Sequence, residues 1–161
     1  MAQVAEKQAE PVVLPDIQTR RFEVPDIDRH GAWLSARILR AYKHLDPRNI
    51  RGFLQGLVYN NECCFLYQDN ACGLAMADRA WSLKPQTIVR ERFVFCRDPE
   101  NKQHIMEAAA LYTQFARWGV HMGAETMVVE ELSDVPDSLV RAAIKGRFGM
   151  RNETFVRLDK E

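Results

Sequence analysis

A chain of 161 residues with 47% apolar and 27% charged residues can bury a core of its own, and that composition excludes a disordered chain, a fibre and a disulfide scaffold. Lys and Arg total 22, and Asp and Glu also total 22, so the formal net charge is zero. A generic nucleic-acid binder carries a basic excess, so sequence-specific nucleic-acid binding is not expected, while uncharged copies repel one another little and assembly meets little resistance.

No apolar run approaches the roughly 20 residues that span a bilayer. The first ten residues lack the basic start and apolar middle of a signal peptide. A cytoplasmic, reducing environment is therefore expected. The cysteines fit it: Cys63 and Cys64 are adjacent, Cys72 and Cys96 stand apart, and no C-x-x-C pair exists, so all four read as small core residues. His30, His44, His104 and His121 share no ligand spacing, and no metal is expected. Nucleophile-elbow, Walker and dinucleotide glycine motifs are absent.

Residues 1–17 read as an arm with two prolines and no aromatic residue. It is either a disordered leader or a segment that orders on a partner through Val12-Val13-Leu14. The domain then spans 18–161. Residues 20–24 alternate polar and apolar and predict a strand ending at Pro25. Asp26 caps a helix reaching about residue 44, and Asp46-Pro47 breaks it. Asn49 caps a short helix over 50–58. A hairpin follows, with strands over 63–67 and 72–77 joined by Gln68-Asp69-Asn70. After a loop at 82–86, β-branched and aromatic residues predict a long strand over 87–96. The longest helix is expected over 102–122. Its stripe of Ile105, Ala108, Ala109, Tyr112, Phe115, Ala116 and Gly119 lies on a sheet, and Gly123 stops it. A strand over 125–130 follows. Ser133 or Asp134 then caps a helix with Pro136 in its first turn. Phe148-Gly149-Met150 reads as a turn before a last strand over 154–158. The order β-α-α-β-β-β-α-β-α-β predicts a single-domain α/β (α+β) fold, a mixed sheet with helices on both faces.

This order resembles the GNAT fold, that of the GCN5-related N-acetyltransferases. The resemblance covers about residues 19–159 and is strongest from Thr87 to Val156. Met122-Gly123-Ala124 looks like the family's helix exit, and Phe148-Gly149-Met150 looks like its Leu-Gly-Phe segment. The resemblance implies acetyl-CoA as cofactor, with its pyrophosphate at the turn after the fourth strand. Backbone N–H groups at a helix start must approach the phosphates, and glycine clears their path. Here the stretch from Asp98 to Ile105 has no glycine and carries Asp98 and Glu100, with Lys102 and His104 offsetting them in part. The resemblance maps cofactor contacts onto Phe95, Cys96, Arg97, Lys102, Gln103 and His104. A backbone N–H near Phe95 or Cys96 would polarise the thioester. Glu91 matches the family's strand carboxylate and is expected on one face with Phe93 and Phe95, either as general base or as a salt-bridge partner of a neighbouring strand. Lys145 stands four residues before Gly149, where many members carry an acidic Tyr, either as proton donor or as a solvated charge.

Three functions follow from these readings. One is a GNAT-like acyltransferase with an eroded phosphate turn and little or no activity. A second is a non-catalytic structural or assembly protein on the same scaffold, as occurs in tailed bacteriophages, where it would be virion-associated. The third is a protein-binding inhibitor or adaptor. The last two imply a protein partner or a homo-oligomer and need no cofactor. Trp33, Trp81 and Trp118 are candidate anchors for such a partner.

Overall fold

A computed structural model describes residues 20–80, 86–129, 133–145, 147–151 and 154–157. The arm expected over 1–17 and the loop at 82–85 lie outside them. Strand β1 is Arg20–Arg21, and helix α1 is Val24–Ala41. A single 3-10 turn, Pro47–Asn49, leads into α2, Ile50–Tyr59. The hairpin β2 (Cys63–Gln68) and β3 (Ala71–Ala80) precedes the long strand β4 (Gln86–Cys96). Helix α3 (Lys102–His121), strand β5 (Thr126–Val129), helix α4 (Asp137–Ile144) and the strands β6 (Phe148–Arg151) and β7 (Thr154–Arg157) complete the order.

The strands form one mixed sheet, ordered β1-β2-β3-β4-β5-β7-β6. β4 and β5 run parallel; the other neighbours are antiparallel. Period-two alternation divides the apolar residues between two faces. On one face Leu34, Ile38 and Leu54 of α1 and α2 pack on Phe65, Leu74 and Phe93. On the other Leu111, Phe115 and Ile144 of α3 and α4 pack on Ala75, Val94 and Met127. Helices therefore cover both faces, as the element order implied. The four cysteines are buried and free. Gly123 takes φ +75° and ends α3, a conformation open to glycine at no steric cost.

Three expectations are corrected. The first strand stops at Arg21 and the helix begins at Val24, before Pro25, because proline fits the first helical turn, where its missing N–H is not needed. Asp26 is accordingly not the cap. It lies in the first turn, 2% exposed, and accepts from the Glu23 N–H at 2.8 Å. Phe148-Gly149-Met150 is not a turn but most of β6, which pairs with β7 from Phe148↔Arg157 to Arg151↔Thr154. Phe148 is buried against α3, whose Gly119 approaches its ring. That burial outweighs the turn signal of Gly149. Finally, neither Ser133 nor Asp134 caps α4. Pro136 holds the cap position, and both earlier residues are bound to other elements.

Candidate functional site

The turn between β4 and α3 is closed on itself. Arg97 N–H donates to the Asn70 carbonyl at 2.8 Å, and Asp98 N–H donates to His104 Nδ1 at 3.2 Å. Glu100 N–H donates to Asp98 Oδ1 at 3.0 Å, and Asn101 N–H to the Asp98 carbonyl at 3.1 Å. Asn101 caps α3: its Oδ1 accepts from Gln103 N–H at 2.9 Å and His104 N–H at 3.3 Å. Ile105 N–H donates to the Asn101 carbonyl at 3.1 Å. The amides of residues 98, 100, 101 and 103–105 are thus paired within the turn and the first turn of α3, and Pro99 has none to offer. Lys102 and Gln103 are exposed and His104 is half-buried, while the Arg97 guanidinium lies over the Trp33 ring at 5.8 Å.

Behind this turn, Glu107 fastens α3 to the sheet. The carboxylate is 8% exposed and accepts from Asn70 N–H at 3.0 Å and from Asn70 Nδ2 at 3.4 Å. Glu107→Ala should cost about 1 kcal/mol, because it leaves the half-buried donors of Asn70 in the hairpin turn without this partner; urea denaturation measures it.

The second feature is the C-terminal half of β4. Among the described residues, the pairing of β4 with β5 runs from Ile88↔Thr126 to Glu91↔Val129. Residues 133–135 lie against the part of β4 that follows. Val94 bridges in parallel to Ser133, Asp134 N–H donates to the Val94 carbonyl at 3.1 Å, and Cys96 N–H donates to Asp134 Oδ2 at 3.0 Å. The Asp134 carboxylate also pairs with the Arg37 guanidinium of α1, which lies over the Phe95 ring at 5.1 Å. Ser133 Oγ accepts from the Tyr112 hydroxyl at 2.7 Å and from Val135 N–H at 3.1 Å. The backbone N–H expected near Phe95 or Cys96 as a thioester contact therefore already holds a side-chain carboxylate. The Phe95 side chain points to the α1 face, stacked on Phe93 at 5.1 Å.

Glu91 is fully buried, but not on the face of Phe93 and Phe95 as the alternation suggested. The β3–β4 register shifts between Leu74↔Phe93 and Ala75↔Glu91, leaving Arg92 as the extra residue. This bulge reverses the alternation, so Glu91 shares the α3 face with Val89 while Phe93 and Phe95 turn to α1. Its cross-strand neighbours are Ala75 and Val129. Arg90 instead pairs with Asp78 at 3.1 Å. Lys145 is exposed and lies just past the end of α4. The structure thus groups Glu91, Tyr112, Ser133 and Asp134 around the C-terminal half of β4 and leaves Lys145 at the surface. Arg37, Tyr112 and Asp134 were hidden in the sequence as a solvated charge, a core stripe residue and a helix cap.

Burial, then the Asp134 carboxylate, pushes the Cys96 thiol up to about 12, and burial pushes Cys64 to about 12 as well. Burial, with the Glu91 charge beside it, holds the Tyr112 hydroxyl well above its ordinary value, so it remains a proton donor to Ser133. None of these groups is a ready nucleophile. The linkage has a definite sign. In the unfolded chain the thiols release protons near their ordinary value of 9.0, whereas the folded chain retains them. Stability is therefore full below pH 9.0 and falls as pH rises toward about 12. Denaturation midpoints should drop steadily across that window, and a flat profile would contradict this burial.

Among the described residues, no group of His, Cys, Asp and Glu is arranged to hold a metal ion, and no helix is long and apolar enough to cross a membrane. No family model matches the sequence, and no curated protein is similar to it in sequence. Solved structures are similar in fold. An acetyltransferase from Vibrio fischeri superposes with a TM-score of 0.53 at 9% identity, over 74% of this chain and 98% of its own. A tetramutant of the BH1408 protein from Bacillus halodurans gives 0.52 at 14% identity, over 78% and 87%. A second mutant of that protein gives 0.51 at 16% identity with the same coverage. At such identities the likeness shows the fold, which is of the GNAT type, and not the activity.

Proposed function

We propose that this chain is a GNAT-fold protein with little or no acetyl-CoA-dependent transfer, serving as a protein-binding or assembly module. One observation carries the reading. The backbone donors of residues 98, 100, 101 and 103–105 are paired within the turn and the first turn of α3, with two carboxylates beside them. A phosphate would have to break those bonds and approach Asp98 and Glu100, which the exposed Lys102 offsets only in part. The commitment of Cys96 N–H to Asp134 supports the same reading at the acyl end.

Thermal unfolding with millimolar acetyl-CoA tests it. A ligand at a hundred times its Kd stabilises by about 2.7 kcal/mol, so an unchanged midpoint is expected and a clear rise would overturn the proposal. The assembly half predicts a defined homo-oligomer or a protein partner; light scattering with and without residues 1–17 measures the first. A second reading, weak acyl transfer with Glu91 as base, draws on one fact, a fully buried carboxylate on the central strand β4. Under it acetyl-CoA binds, and Glu91→Gln abolishes turnover while leaving binding intact. Lys145 as acid then predicts that Lys145→Met lowers turnover while leaving acetyl-CoA binding intact.

A further inference from the structure

We draw no further inference here: the strongest candidate, the solvent-facing side of α2 where Gly52 and Gly56 leave open space one turn before the exposed Tyr59, is a stripe of small residues, and nothing in the structure shows what covers it.

Discussion

Phe115→Ala is expected to lower the free energy of unfolding by about 3–5 kcal/mol, the usual cost of emptying a buried aromatic site. Phe115 is fully buried where α3 crosses the sheet, edge-on to Tyr112 at 6.1 Å. β3 passes so close beneath it that a Cβ at Gly73 would lie 2.8 Å from Phe115 Cζ and 3.1 Å from Val94 Cγ2. Gly73→Ala should therefore cost about 1–3 kcal/mol by overpacking. The two sites are in contact, so their effects should not add. In a Phe115→Leu background the ring that meets the new methyl is gone, and Gly73→Ala should lose most of its penalty. Urea denaturation of the four proteins in this cycle measures the coupling; strictly additive losses would contradict the close approach of β3 and α3.

Asp134→Ala should carry the next largest loss, about 2–4 kcal/mol. It unpairs Cys96 N–H and leaves Arg37 facing Phe95 without its anion. Breaking one side of a fully buried pair costs about 3–5 kcal/mol, and the remaining exposure of both side chains lowers that figure. Removing both charges, in Arg37→Met/Asp134→Ala, should cost less than the sum of the single changes, since no lone charge is left. Equal and additive losses would show that the two side chains act independently. Stability curves from denaturant titration decide between these outcomes.

Much of the fold was legible because it depends on local period. The stripe Ala108, Tyr112, Phe115, Gly119 announced the long helix, and the run from Thr87 to Cys96 announced the central strand. What escaped was non-local. In Arg90-Glu91-Arg92-Phe93 the alternation reads smoothly, so nothing signals the extra residue at Arg92 that sends Glu91 to the α3 face. The fate of Ser133 and Asp134 likewise depends on α1, α3 and β4, which lie far away in sequence. Their composition suited a cap, and only tertiary partners could direct them elsewhere. Phe148 shows the same conflict, with a turn signal at Gly149 overridden by a core position beside α3. The absence of glycine from the turn after β4 could be read directly. The internal bonds of that turn could not, apart from Asn101, whose type and place before a helix fit a cap.

The loss of a cofactor site on a retained scaffold is physically undemanding. The core of this chain lies in Leu111, Phe115, Phe65 and their neighbours, whereas the turn between β4 and α3 is exposed. Substitution in the turn can remove ligand affinity without disturbing packing, provided that the helix N-terminus is satisfied some other way. Asn101 does this here with one side-chain oxygen.

Amide hydrogen exchange across residues 97–105, with and without millimolar coenzyme A, measures that commitment most directly. Unchanged protection at Gln103, His104 and Ile105 is the expected result, because their donors are already bound. Added protection confined to these amides would mean that phosphate displaces the Asn101 cap, and the account of a closed turn would then be wrong.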